Sequence, residues 1–290
     1  MSKRKVDEDE VDEFEDDAWE EIPDELVQTS RDRTAADIVA VEPKSHKSTV
    51  VEILFEDEHL LVINKPSGLD SNRGQFAAVC VLDVLEARME NLPGPLRLVH
   101  RLDRETSGLM VLAKTAQAQK NLSEQWETRA VEKTYLVIVH GVMQPREGVI
   151  DLPLKKTENQ ARPVMIDHKK GKPAATEYDV VDQFRQFALV EAQPVTGRMH
   201  QIRVHFAAVG CGVLCDSHYG LPDPLLLSEF KRRYKPSHRK ETEKPLIARL
   251  ALHANLLKFK HPISGATMEF KLNPPKDFSA AVKQLGKYGR

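Results

Sequence analysis

From residue 100 to residue 108 the chain reads His100-Arg101-Leu102-Asp103-Arg104-Glu105-Thr106-Ser107-Gly108, a dense polar cluster that runs directly into the apolar stretch GLMVLAK at 108–114. A carboxylate among arginines has two possible employments. On a solvated loop it pairs with its neighbours and contributes little, whereas in a cleft it can act as nucleophile or base. A second polar segment, Thr196-Gly197-Arg198-Met199-His200-Gln201-Ile202-Arg203, places Arg203 four residues after Met199 and four before Ala207, on a predicted helix that otherwise packs apolar residues. A cation there is costly unless a carboxylate meets it, and Asp103 is a candidate partner. Spacing alone leaves both readings of Asp103 open.

Other chemistries lose their best support. The chain has no Gly-rich phosphate loop ending in Lys-Ser/Thr, no GxGxxG, no HExxH and no GxSxG, which removes the usual signatures of nucleotide, dinucleotide, zinc-protease and serine-hydrolase sites. Cys211 and Cys215 with His205 and His218 are a weak metal set, because two cysteines three residues apart carry little zinc signal. Small buried thiols are the preferred reading, and no metal is expected.

The elements that must position these residues follow from periodicity. TVVEILFEDEHLLVINKPSGL, from Thr49, is a strand, a polar turn and a second strand closed by Pro-Ser-Gly. CVLDVLEARMENL (80–92) has helical spacing and stops at Pro93-Gly94. GLMVLAK is a short buried strand, 117–129 a helix, and KTYLVIVHG a β-branched central strand. ATEYDVVDQF and FALVEAQPV form an adjacent strand pair, and GRMHQIRVHFAAVG a helix with Met199, Ile202 and Phe206 on one face and Gly210 as its stop. ALHANLLKFKHPISGATMEFKL is a hairpin about Ile263-Ser264-Gly265, followed by a short helix after Pro275. Helices and strands mix without regular alternation, so the expected class is α+β with a largely antiparallel sheet.

Of 290 residues, 42 are Lys or Arg and 44 Asp or Glu, but the near balance hides a division. Residues 1–50 hold 7 basic and 16 acidic side chains, a net of −9, and the remainder carries +7. Residues 1–47 read as an acidic disordered tail, too poor in apolar residues to fold alone, and 48–290 as the folded domain. No apolar run approaches the roughly 18 residues that span a bilayer, and the charged start is unlike a signal peptide. With three cysteines, too few for a disulfide framework, the expectation is a soluble cytoplasmic monomer without a membrane partner.

The motifs together resemble the RluA-type pseudouridine synthases. HRLDRETSG followed by LMVLAK is similar to that family's signature, and INKPSGL (63–69), EKTYLVIVHG (132–141), TGRMHQIRVH (196–205) and RLALHANLLKFKHPISG (249–265) accompany it in the family's order. The resemblance implies the pseudouridine synthase catalytic fold and the isomerisation of uridine in structured ribosomal or transfer RNA, with no cofactor. It implies Asp103 as the catalytic carboxylate, Arg203 as the arginine that pairs with it, and Tyr135 as the active-site tyrosine that stacks on the target base. It further implies Arg101 as the residue that enters the RNA stack, with Leu102 and Ile202 as apolar walls. Residues 219–246 look like a basic insertion, in which Lys231, Arg232 and Arg233 beside Phe230 and Tyr234 suit phosphates and unstacked bases as well as plain solvent exposure. An RNA-binding or RNA-folding protein with dispensable catalysis is the alternative, and an N-glycosidic hydrolase is disfavoured because the motifs offer no second carboxylate to activate water.

Overall fold

Along Leu60–Lys65 the side chains alternate between two apolar clusters, Leu60 and Val62 in one and Leu61 and Ile63 in the other. A strand buried on both faces reads as a continuous apolar run, and this one lies inside a large sheet. The computed structural model describes residues 40–41, 49–73, 79–89, 92, 94–235 and 242–290. The acidic tail expected over 1–47 therefore lies, apart from 40–41, outside the described residues. So does 236–241 of the basic insertion.

In chain order the strands are β1 (Ala40–Val41), β2 (Thr49–Val50), β3 (Glu52–Glu56), β4 (Leu60–Lys65), β5 (Arg97–Leu98), β6 (Ser107–Ala113), β7 (Glu132–His140), β8 (Glu147–Asp151), β9 (Leu154–Lys156), β10 (Val164–Ile166), β11 (Ala175–Gln183), β12 (Phe187–Pro194), β13 (Leu252–Lys260) and β14 (Thr267–Lys271). The helices are α1 (Val81–Glu86), α2 (Ala116–Glu127), α3 (Gln201–Ala208) and α4 (Lys276–Tyr288). Eight strands follow the order β3-β4-β6-β13-β7-β12-β11-β8, with β14 beside β13 and β5 beside β6, while β1-β2 and β9-β10 are separate pairs. Every pairing in the large sheet is antiparallel except β6 with β13, which bears out the expected class.

Two layers cover the sheet. On one face α1 and α3 pack, with Val81, Leu85 and Leu102 against Ile63 and Met110, and Ile202 and Phe206 against Val137 and Val190. On the other, Ala118 and Leu122 of α2 meet Val111 and Phe259, and Phe278, Ala281 and Leu285 of α4 meet Ile138. Each such fully buried aliphatic side chain contributes about 1.5–3 kcal/mol. The same alternation decides the position of Tyr135. It packs with the clusters of the first face, where Val137 and Val139 also point, while Leu136 and Ile138 point to the second.

Some elements differ from their sequence expectations. α1 ends at Glu86, short of Leu92, where Arg88 turns to donate to the Val51 carbonyl oxygen and the Glu86 carboxylate accepts from Leu96 N–H. α3 begins only at Gln201, because His200 adopts a left-handed conformation with φ of 53°. The helix after Pro275 runs thirteen residues, and β8, β9 and β10 are strands that the sequence pattern does not predict.

Candidate active site

Asp103 sits on the loop between β5 and β6, held from several directions. Ser71 Oγ donates to the Leu102 carbonyl at 2.7 Å and accepts from Leu102 N–H at 3.1 Å. Ser67 Oγ donates to the Glu105 carbonyl at 2.6 Å, and Gly68 N–H to the Arg104 carbonyl at 2.8 Å. Lys65, fully buried, donates from Nζ to the carbonyls of Pro66, Leu69 and Arg104 at 2.9, 2.7 and 3.1 Å. Burial brings its pKa down to about 8, against the pull of Asp103, Asp70 and Glu105. The Lys-Pro-Ser-Gly motif is thus a clamp on the Asp103 loop.

His100 anchors the start of that loop. Its ring stacks on Trp126 at 4.6 Å, its Nε2 accepts from Val111 N–H at 3.0 Å, and burial takes its pKa down to about 3. At the end, Ser107 Oγ lies 3.0 Å from His253 Nδ1 and accepts from Arg249 at 3.3 Å, while Arg249 holds Asp277 of α4 through two bonds at 2.7 and 2.8 Å. Gly108, with φ of 116°, pairs with Ala254, and any Cβ there would overlap the Ala254 backbone. Only glycine lets β6 approach β13 this closely, and Ala254 in turn pairs with Tyr135.

Arg203 lies 3.4 Å from Asp103, through Nη1 and Oδ2, and 3.9 Å from Glu105. Its tighter partner is Asp216, which accepts from Nε at 2.8 Å and Nη2 at 2.7 Å, with the Arg203 side chain 1% and Asp216 0% exposed. A forked pair of this kind is strong and geometrically specific. Burial works against the Arg203 charge, but the bonds and charge of Asp216 more than offset it and hold the guanidinium pKa above its usual value. Burial likewise opposes the Asp216 charge, and Arg203 with the amides of His218 and Tyr219 keeps its carboxyl below the usual range. Asp216 thus fixes the cation that Asp103 meets, so the pair expected from sequence is one side of a carboxylate, guanidinium, carboxylate row.

His200 completes the surroundings of Asp103. The Tyr219 oxygen accepts from Val164 N–H at 3.0 Å and lies 2.9 Å from His200 Nδ1. With the Tyr219 hydroxyl donating to Nδ1, the remaining ring N–H is on Nε2, which faces Asp103 Oδ1 at 3.8 Å. Burial lowers the His200 pKa, against Asp103, which raises it. The Tyr219 ring also lies 5.3 Å from the Arg203 guanidinium carbon. Left-handed backbone at a residue other than glycine is uncommon, and here it turns the imidazole toward the carboxylate.

Tyr135 is half-buried, and its hydroxyl takes no hydrogen bond among the described residues. Burial, and then the Asp103 charge, push its pKa well up, so it remains a phenol at neutral pH. Arg101 is exposed. Leu102 and Ile202 are 4% and 6% exposed and lie in the clusters that flank Tyr135 on either side. Lys231, Arg232 and Arg233 are not part of this assembly, because Phe230 packs with Phe187 and Ile138 on the opposite face of the sheet. Among the described residues no group of three or more His, Cys, Asp or Glu side chains is arranged to hold a metal, and no helix is long and apolar enough to cross a membrane.

Sequence reasoning missed Asp216, Lys65, His200 and Tyr219 as parts of the site. The available signals were an acid in the apolar run CGVLCD and a lysine closing LLVINK, both costly to bury without partners.

A carboxylate held against a fixed cation beside a phenol supplies the groups for carboxylate chemistry on a bound substrate. A model of RNA pseudouridylate synthase matches residues 59–208. The chain is 38% identical over 227 residues to the dual-specificity RNA pseudouridine synthase RluA of Salmonella typhi, covering 78% of this chain and 93% of that one. It is 35% identical over 235 residues to the ribosomal large subunit pseudouridine synthase C of Haemophilus influenzae, covering 81% and 68%. Among solved structures, human RNA pseudouridylate synthase domain containing 4 is similar with a TM-score of 0.61 and 29% identity, covering 81% of this chain and 92% of that one. The chain belongs to the RNA pseudouridylate synthase family, as a member of the RluA type, and is an RNA-modifying isomerase.

Proposed function

We propose that the chain isomerises chosen uridines to pseudouridine in a structured stem-loop of ribosomal or transfer RNA, with Asp103 as the catalytic carboxylate. The observation that carries this reading is the 3.4 Å contact of Asp103 with an arginine whose charge is fixed from behind by Asp216. The printed names of the relatives, a large-subunit ribosomal synthase and a dual-specificity RNA synthase, support the substrate class.

The target nucleotide leaves the stack at a cost of a few kcal/mol, and exposed Arg101 enters the space it vacates. Tyr135 stacks on the base, with Leu102 and Ile202 as apolar walls on either side that exclude water from the cleaved intermediate. Asp103 promotes scission of the bond between uracil N1 and ribose C1′. The base turns, C5 bonds to C1′, a proton leaves C5 and one is gained at N1, so atoms balance without water or a cofactor. The Tyr135 hydroxyl serves the movement of that proton, and Arg203 holds one oxygen of Asp103 at 3.4 Å while the His200 ring faces the other at 3.8 Å.

The enzyme acts as a monomer, and free thiols fit the cytoplasm. Residues 48–290 form the catalytic domain, and the acidic segment 1–47 takes no part in turnover.

The test uses transcribed stem-loops carrying tritium at uridine C5, since isomerisation releases that hydrogen to water. Wild-type protein releases tritium, and Asp103→Asn loses about 10³-fold or more in rate while binding RNA as before. Release by Asp103→Asn at the wild-type rate, or a loss explained entirely by weaker binding, contradicts the assignment.

A further inference from the structure

On the face opposite Tyr135, the turn between β11 and β12, the segment around Lys231 and the end of α4 enclose a groove of about 470 Å3. Its cationic wall is Arg185, Lys231, Arg232 and Arg233, and its aromatic wall includes Phe230 and Tyr288. The wall is built rather than loose. Phe230 packs edge-on to Phe187 at 6.4 Å, Lys231 Nζ lies 4.6 Å from the centre of the Tyr288 ring, and Arg185 N–H donates to the Gly289 carbonyl at 2.7 Å. Tyr234 N–H donates to the Lys231 carbonyl at 3.2 Å, closing a turn in which Arg233 has φ of 57°, and Arg232 and Arg233 are exposed.

Among the described residues, neither Arg232 nor Arg233 has a carboxylate partner. The acid in the groove wall, Glu229, is turned to the Leu226 N–H at 3.3 Å, and burial raises its pKa, while Glu243 beside the groove accepts from the Ser228 N–H at 3.0 Å. Cations with no carboxylate partner among the described residues, set beside aromatic rings, suit a strand with phosphates and unstacked bases. The groove is also remote from the chemistry. Phe187 pairs with His140, five residues along β7 from Tyr135, which is roughly 17 Å of strand.

We propose that this groove is a second RNA-contact site, which takes a single-stranded segment flanking the stem-loop whose uridine is isomerised. The proposal rests on the RNA substrate proposed above and adds that the enzyme reads RNA on both faces of its sheet. A stem-loop alone does not reach the groove, whereas an RNA with a long single-stranded extension does.

The experiment compares KM and kcat for a minimal stem-loop and for the same stem-loop extended by single-stranded RNA, using full-length wild type and Arg185→Ser/Arg232→Ser/Arg233→Ser. The ratio of KM values, extended over minimal, rises about 10-fold in the variant near 0.15 M salt, and the salt dependence of binding to the extended RNA weakens by about two in log-log slope. Tyr288→Leu raises the same ratio without changing the salt slope, because it removes stacking and no charge. An unchanged ratio at every salt concentration overturns the proposal. Equal losses on both RNAs also overturn it, since they indicate general electrostatics. Tighter binding by the triple variant overturns it as well, and would assign the groove to an acidic peptide such as the Asp7–Glu25 stretch of this chain. Failure of the underlying reading looks different, because wild type would then release no tritium from either RNA.

Discussion

Arg203 and the pair Arg232 and Arg233 carry the same charge and are opposite in structure. Arg203 is 1% exposed and gripped by a carboxylate that is itself fully buried, whereas Arg232 and Arg233 are exposed on a turn on the other face. A buried cation with a forked partner is a fixed charge that salt and RNA cannot displace. Exposed cations are screened within about 8–10 Å at ordinary ionic strength and are free to exchange counterions for phosphate. On the function proposed above, Arg203 serves the chemistry and Arg232 and Arg233 serve attachment. Lys65 is a third case, a buried cation held by three carbonyls, which shows that this fold spends buried charge on fixing the loop of Asp103.

Asp216→Asn breaks the comparison most severely. It leaves Arg203 buried with the longer contacts to Asp103 at 3.4 Å and Glu105 at 3.9 Å, and loss of about 3–5 kcal/mol of stability is expected, measured by urea unfolding, with a fall in kcat beyond the fall in folded protein. Retention of both would show that Asp216 does not fix the cation.

Raising the pH separates the two buried cations, since Lys65 titrates near 8 in the fold and near 10.5 when unfolded, while Arg203 stays charged. A base with a depressed folded pKa has its full stabilising contribution above the unfolded value and loses it as pH falls through the folded one. Between pH 8 and 10.5 the stability of wild type relative to Lys65→Met therefore rises by roughly 3 kcal/mol. A flat difference across that range would mean that Lys65 is not buried as a cation. The smallest effect is expected at the exposed arginines, where Arg232→Ser/Arg233→Ser changes unfolding stability by less than about 0.5 kcal/mol. A larger loss would place these side chains in the fold rather than on its surface.

The sheet strands with strong alternation, α2, the final hairpin and the residues Asp103, Tyr135 and Arg203 were all legible in the sequence, the last three through the motifs that carry them. Asp216 was not, because its role comes from a pairing with Arg203 across the fold that no local pattern announces. His200 was hidden by helical periodicity, which continued through a residue whose backbone leaves the helix. β9 and β10 are three residues each, too short for an alternation to register. Lys231, Arg232 and Arg233 were visible as charge, but the face they occupy depends on where Phe230 packs.

The central claim is tested most directly by mapping pseudouridine across total RNA from cells with and without this protein, restored either by wild type or by Asp103→Asn. One or a few positions in ribosomal or transfer RNA are expected to lose their modification without the protein, and to regain it with wild type but not with Asp103→Asn. Modification restored by Asp103→Asn would contradict the assignment of Asp103 as the catalytic carboxylate.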